Sequence, residues 1–324
     1  MGLTDKIRAA VVGVGYLGKF HAEKYANLEG VDLVGVVDTN RDRAAEVAKR
    51  VGTEAFADYR QLFGKADAVS IAVPTPLHYE VARAFLEQGV DVLIEKPITQ
   101  TVAEADELIE LASQKGRIIQ VGHLERFNPA VSAVKDIVRN PLFIECNRLS
   151  LYQPRGTDVS VIHDLMIHDI DLILNFVKSG ISYCHALGAP VVTGMVDIAN
   201  AHIEFENGAA ANVTASRISN KNERKIRIFQ QDGYLSIDFA NRAITHIRPG
   251  SGEEQCPVPG MQMESQTFEQ ADALADEIRS FAAAVADRSE PEVSGSMGRN
   301  ALKIAVDITG QIDRAMARVK GRPK

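Results

Sequence analysis

The stretch Val11-Val12-Gly13-Val14-Gly15-Tyr16-Leu17-Gly18 joins a β-branched run, Ile7 to Val12, to a helical pattern that opens at Lys19. Gly13 permits a tight turn, Gly15 lets the backbone approach a pyrophosphate, and Gly18 lets helix and strand pack closely. The helix N-terminus favours an anion at the same place. A glycine triplet alone is weak evidence, since ordinary turns carry one too. Its weight comes from Asp38, which follows the next strand-like run, Val34 to Val37, at about the 20-residue spacing of a carboxylate that accepts from adenosine ribose hydroxyls. Together these predict a Rossmann dinucleotide-binding domain that takes NAD, because a carboxylate at Asp38 repels a 2′-phosphate. Arg41 and Arg43 stand close enough to leave NADP open. Tyr16 and Leu17 in the loop, and Thr39 after the carboxylate, complete this wall.

Outward from the loop, the first 125 residues alternate short apolar runs with helical patterns, as a parallel α/β domain requires. Ile7 to Val12, Leu33 to Val37, Val69 to Val73, Val92 to Ile94 and Ile118 to Val121 read as strands. Lys19 to Leu28, Arg41 to Val51, His78 to Gln88 and Val102 to Lys115 read as helices. Ligands of open α/β sheets bind beyond the C-terminal strand ends. The turn Val73-Pro74-Thr75-Pro76-Leu77-His78 therefore predicts a second cofactor wall from Pro74, Thr75 and His78, although His78 reads equally as a packing residue at its helix start. Ile94-Glu95-Lys96-Pro97 ends another strand at the same edge, which puts Glu95 and Lys96 beside the cofactor. A lysine there can steady a developing alkoxide, or it is simply a solvated strand end.

After Phe127 the pattern changes. Ala130 to Arg139 reads as a short helix, Phe143 to Leu151 as a strand, and His163 to Lys178 as a helix. Alternating runs follow, broken by Asn207-Gly208 and Asp232-Gly233, dipeptides suited to tight hairpin turns. Ile226, Ile228, Leu235, Ile237 and Phe239 share faces at period two, so the sheet is antiparallel with one apolar side. Two closing helices, Thr267 to Ala286 and Ser294 to Arg318, are separated at Ser289-Glu290-Pro291. The expected domains are residues 1–125 and an α+β domain over residues 126–324, whose last helix is available to pack back on the first.

The chain has 324 residues, 45% hydrophobic and 24% charged, with a formal net charge of -7. That charge argues against a nucleic-acid partner, which needs basic surface to displace counterions. No apolar run is long enough for a membrane helix, and the start of the chain has no secretory pattern, so a cytoplasmic protein with a small-molecule partner is expected. Cys146, Cys184 and Cys256 lie far apart and suggest neither disulfide nor zinc site.

Asp164, His168 and Asp171 stand at i, i+4 and i+7, on one face of the helix expected there. Histidine is the natural base near neutral pH, and a neighbouring carboxylate orients it. Asn175 and Lys178 continue the stripe, so the same residues also read as a plain polar face. Asp164 and His168 have no third ligand at metal spacing, and no metal is expected.

Gly13-x-Gly15-x-x-Gly18, Val73-Pro74-x-x-x-His78, Glu95-Lys96-Pro97 and Asp164-x-x-x-His168-x-x-Asp171, in this order, resemble the glucose-fructose oxidoreductase/inositol dehydrogenase (Gfo/Idh/MocA) family over essentially the whole chain. The resemblance implies an NAD(P)-dependent dehydrogenase acting on a sugar or cyclitol CH-OH group. It further implies a large open sheet in the second domain that pairs protomers into a homodimer or homotetramer, a cis Lys96-Pro97 bond, and Lys96 with His168 as the catalytic pair, with Asp164 holding substrate or His168. One departure stands out: Ser160-Val161-Ile162-His163 precedes Asp164 where the family often has a Gly-Gly pair, which leaves the shape of that wall open. The segment from Gly122 to Pro129 resembles the subgroup that oxidises UDP-N-acetylglucosamine at C3, a step toward lipid A or surface glycans. In that subgroup reading Arg126, Asn128 and Arg155 contact substrate, the two arginines gripping its diphosphate by forked hydrogen bonds, though either arginine reads equally as a surface ion-pair partner. The alternatives are an inositol or free-sugar dehydrogenase of the same family and a noncatalytic NAD-binding regulator.

Overall fold

The computed structural model describes residues 6–154, 157, 159–250, 256 and 258–320. Six strands, β1 (Ile7–Val12), β2 (Val31–Val37), β3 (Ala55–Phe56), β4 (Ala68–Ile71), β5 (Asp91–Glu95) and β6 (Ile119–Gly122), form one sheet in the order β3-β2-β1-β4-β5-β6. Every neighbouring pair is parallel. Parallel neighbours need crossovers, and α1 (Gly18–Ala26), α2 (Arg41–Val51), α3 (His78–Glu87) and α4 (Val102–Lys115) provide four of the five. The near-continuous apolar strands follow from burial on both faces: Ala9 and Val11 belong to one core, Ala10 and Val12 to the other. Strand order reverses between β1 and β4, the point where such sheets open a ligand crevice.

Helix ends follow local chemistry. Asn40 accepts from the Arg43 N–H at 3.0 Å and opens α2, which Gly52 closes at φ +73°. Thr101 and Glu104 form a reciprocal capping box at α4, and Gly116 ends it at φ +61°. Both helices fall where their sequence places them.

The second unit holds β7 (Pro141–Leu149), β8 (Ile181–Ala189), β9 (Ile198–Phe205), β10 (Ala210–Ser216), β11 (Glu223–Gln230), β12 (Gly233–Asp238), β13 (Ala243–Pro249) and β14 (Met261–Thr267), in the order β14-β13-β12-β11-β7-β10-β9-β8. All pairs are antiparallel except β7 with β10. One face is buried, carrying Ile144, Ile203, Val213, Ile226, Ile228, Leu235 and Ile237. The opposite face presents Tyr183, Leu187 and Ile198 on β8 and β9, and the ring cluster Phe143, Phe229 and Tyr234 farther across. Two short helical stretches, α5 (Pro129–Val134) and α6 (Ile167–Val177), complete this unit's first half.

Two expectations are corrected. The helix expected from Thr267 starts later, because residues through Thr267 continue the ladder with β13, and Asp272 caps α7 (Ala273–Asp287) by accepting from the Ala275 N–H at 3.0 Å. The helix expected from His163 opens instead as a π turn, Ile162–Met166, before α6 takes over. The final helix, α8, runs Gly295–Lys320.

Residues through Phe127 together with Asp272–Leu302 form the first unit, and Asn128–Ala271 with the rest of α8 form the second. The chain returns to the first unit because α7 buries Ile278, Phe281, Ala282 and Val285 against Leu33 and Leu93, while Val121 N–H donates to Val293 at 2.9 Å. A single cut at 125/126 therefore does not describe the packing. Among the described residues, no helix is long and apolar enough to cross a membrane.

Candidate cofactor and active site

The glycine loop is dictated by space. A Cβ on Gly13, at φ +86°, would stand 2.7 Å from the Ala72 carbonyl oxygen, and one on Gly18 would stand 1.7 Å from that of Gly13. No side chain fits at either position. At Gly15 the nearest atom to such a Cβ is 3.9 Å away, on Arg43, so that backbone is open to a ligand. Asp38 is 8% exposed, and its carboxylate is held by the N–H groups of Val14 at 3.1 Å and Asn40 at 2.8 Å. Arg43 Nη1 lies 3.4 Å from the same group.

A cavity of about 740 Å³ spreads over these strand ends, with Gly13, Gly15, Tyr16, Leu17, Asp38, Thr39 and Pro74 in its walls. Its size suits a cofactor-sized ligand, since such pockets run to roughly 300–1,000 Å³. An immobile carboxylate at the end of β2, glycines that admit a pyrophosphate and a cavity of this volume fit NAD. Asp58, Tyr59, Arg60 and Glu80 also line it, and sequence reasoning missed them. The two-residue β3 that delivers Asp58 to Arg60 is too short to leave a periodic signal. Replacing Asp38 with Ser, which removes the negative charge and leaves Arg43, is expected to lower the NAD-to-NADP affinity ratio at least about tenfold, or roughly 1.4 kcal/mol. Titration of both cofactors into wild type and D38S checks this.

The remaining predicted cofactor residues lie elsewhere. Thr75 starts the 3-10 turn Thr75–Leu77, outside the cavity wall. His78 is 1% exposed, with Nδ1 2.8 Å from the Pro97 carbonyl and Nε2 2.9 Å from that of Val73. It ties the β4 exit to the β5 exit and does not reach the cavity. Burial holds its imidazole below the ordinary range, against the pull of the two carbonyls. Lys96 is half-buried just past β5 and the Lys96-Pro97 bond is cis. The Glu95 side chain turns inward, its Oε1 2.9 Å from His21 Nε2. Arg126 is buried in the 3-10 turn Leu124–Phe127.

In the second unit, Asn128 spends its side-chain oxygen capping α5, accepting from the Ala130 N–H at 3.0 Å. Arg155 lies outside the described residues. Asp164 is half-buried in the π turn and His168 half-buried at the start of α6. The i, i+4 spacing of these two does not carry the α-helical geometry expected of it, since a π turn closes i to i+5. Asp171 is 1% exposed, so it does not continue a solvated polar stripe. Asp169, beside His168, is buried in a forked pair with Arg148 of β7, at 3.0 and 2.8 Å, which fastens α6 to the sheet. Among the described residues, one trio of metal-ligand residue types, His21, Glu95 and Glu277, brings its atoms within 4.8 Å in the first unit.

The chain matches the family model of the GFO/IDH/MocA oxidoreductases with NAD-binding Rossmann fold over residues 7–123, and that family's C-terminal domain over residues 147–236. It is 38% identical to the UDP-N-acetylglucosamine 3-dehydrogenase of Acidithiobacillus ferrooxidans, over 96% of this chain and 99% of that one. A solved structure of that enzyme superposes with a TM-score of 0.91 at 38% identity, covering 95% of this chain and 98% of the other. The scyllo-inositol 2-dehydrogenase (NAD(+)) of Bacillus subtilis is 27% identical over 97% and 96%. With side chains excluded at Gly13 and Gly18, a carboxylate fixed at the end of β2 and both domains matched, the chain belongs to the Gfo/Idh/MocA family of NAD-binding oxidoreductases, dehydrogenases that act on CH-OH groups.

Proposed function

We propose that the protein oxidises the C3 hydroxyl of UDP-N-acetylglucosamine to a ketone, feeding lipid A or surface-glycan synthesis in the cytoplasm. The observation that carries the reading is the 38% identity to a UDP-N-acetylglucosamine 3-dehydrogenase along nearly the full length of both chains, against 27% for the inositol enzyme. Bound NAD supplies the two-electron acceptor. His168 removes the hydroxyl proton, aided by Asp164, and Lys96 donates a hydrogen bond to the substrate oxygen as the C3 hydride departs. The products are the 3-keto sugar, reduced cofactor and one proton. Arg155, rather than the buried Arg126, grips the diphosphate, a contact that a free cyclitol lacks. The protein assembles as a homodimer or homotetramer through the open sheet face, on which Tyr183 and Leu187 are 51% and 57% exposed.

UDP is the discriminating ligand. In initial-rate assays it is expected to compete with the sugar substrate, and it should protect the protein thermally in the absence of NAD. An enzyme that turns over inositol and is indifferent to UDP would exclude the nucleotide-sugar reading.

A further inference from the structure

Glu277 lies on the apolar stripe of α7, between Leu274 and Phe281, and is 1% exposed. Its Oε1 has no hydrogen-bond partner, and neither has Nδ1 of the equally buried His21. Gln120 Nε2 donates to the Glu277 main-chain oxygen at 3.1 Å, which fixes this turn of α7 against β6. The side chain shares the space within 4.8 Å with His21 and Glu95. Glu95 leads directly into Lys96, whose N–H donates to Glu95 Oε2 at 3.3 Å.

Two carboxyls enclosed together do not both ionise: a second buried charge costs several kcal/mol, and one site of a close pair keeps its proton. A metal ion would relieve the same crowding. Tetrahedral zinc with bonds of roughly 2.0–2.2 Å holds its ligand atoms about 3.3 Å apart, whereas His21 Nε2 and Glu95 Oε1 stand at 2.9 Å, the spacing of a hydrogen bond. We propose that Glu277 is a positioning residue for Lys96, acting through Glu95 and His21 as one buried trio in which a proton, not a metal ion, lies between the carboxyls. The proposal rests on the catalytic reading of Lys96 given above.

Burial, with the neighbouring Glu95, pushes the Glu277 carboxyl well above the ordinary range. Burial also pushes Glu95 upward, but the His21 hydrogen bond and the charges of His21 and Lys96 outweigh it and hold that carboxylate low. The neutral Glu277 O–H turns to the Glu95 carboxylate and steadies the segment that carries Lys96. The titratable and charged surroundings are His21 and Tyr25 from α1, Glu95 and Lys96 from the β5 exit, and His123 and buried Arg126 at the turn packed on α7. When alkaline pH ionises Glu277, the added negative charge near Lys96 stabilises its ammonium form.

The experiment compares wild type, Glu277→Gln and Glu277→Leu by the rate at which acetic anhydride labels Lys96, read by peptide mass spectrometry between about pH 7 and about pH 10. Gln keeps the shape and donor of the neutral acid but cannot ionise. At the alkaline end, Lys96 of E277Q is expected to label at least about twofold faster than that of wild type, with little difference near neutrality. A carboxyl raised in the folded state destabilises the fold above its unfolded pKa, increasingly until the folded value is passed, so the wild-type Tm should also fall more steeply with alkali than that of E277Q. In turnover, the alkaline limb of kcat/KM, set by loss of the Lys96 proton, should move to lower pH in E277Q, and E277L should lose kcat with little change in NAD affinity. Superimposable labelling and Tm profiles for wild type and E277Q would overturn the proposal. So would a zinc-dependent rise in wild-type Tm that E277Q lacks, which would make the trio a metal site. Labelling needs no substrate, so a protein silent toward nucleotide sugars would sink the functional reading without deciding this one.

Discussion

Replacing Lys96 with Met is expected to lower kcat by about 10²–10⁴-fold, the range for losing one proton-handling or oxygen-stabilising group, while the Kd for NAD stays within about twofold of wild type. The side chain sits beyond the end of β5, outside the residues that wall the cofactor cavity. On the proposed mechanism its loss removes a contact to the reacting oxygen, and it leaves the glycine loop and Asp38 untouched. Met keeps the length and apolar stem of lysine and deletes only the charge and its donors. Steady-state turnover, with NAD binding followed separately, reads both halves. Unchanged kcat would remove Lys96 from the mechanism, and loss of NAD binding would recast it as a cofactor residue.

Arg148→Met should have the largest effect on stability. Arg148 and Asp169 are 6% and 3% exposed in their side chains, and removing one partner strands the other charge in the interior at about 3–5 kcal/mol. The double variant R148M/D169L removes both charges and should recover most of that loss, since apolar replacements of buried pairs are often neutral. Because Asp169 adjoins His168, activity should fall further in R148M than unfolding alone explains. Denaturant melts of the two variants check this. A single variant within about 1 kcal/mol of wild type would mean that water reaches the pair.

The first unit was legible because its signals are local. The apolar strand runs, the glycine loop after β1 and Asp38 after β2 all lie within a few residues of the ends they define. The hairpin dipeptides and the alternation of Ile226, Ile228, Leu235 and Ile237 likewise carried the second sheet. What escaped depends on distant partners or on departures from regular period. β3 is two residues long. The π turn at Ile162–Met166 widens the backbone in a way that no polarity pattern records, and it places Asp164 in a different helical element from His168. Residues near Thr267 have a helical composition, yet they pair with β13 because the sheet edge is there to receive them. His78 looked like a site residue from its motif, and its two carbonyl partners lie five and nineteen positions away. Glu277 did leave a trace: a carboxylate in step with Leu274, Ile278 and Phe281 on an apolar face. Its significance emerges only when α7 is seen against β5 and α1.

The most direct measurement is the absorbance of reduced nicotinamide when the purified protein meets NAD and UDP-N-acetylglucosamine, with a carbonyl trap to draw the oxidation forward. The account predicts reduction that depends on the nucleotide sugar and is absent in K96M. Reduction with inositol or a free sugar, but none with UDP-N-acetylglucosamine, would contradict the proposed substrate and keep the chemistry. Silence with every polyol despite tight NAD binding would contradict the dehydrogenase reading itself and favour a noncatalytic NAD-binding regulator.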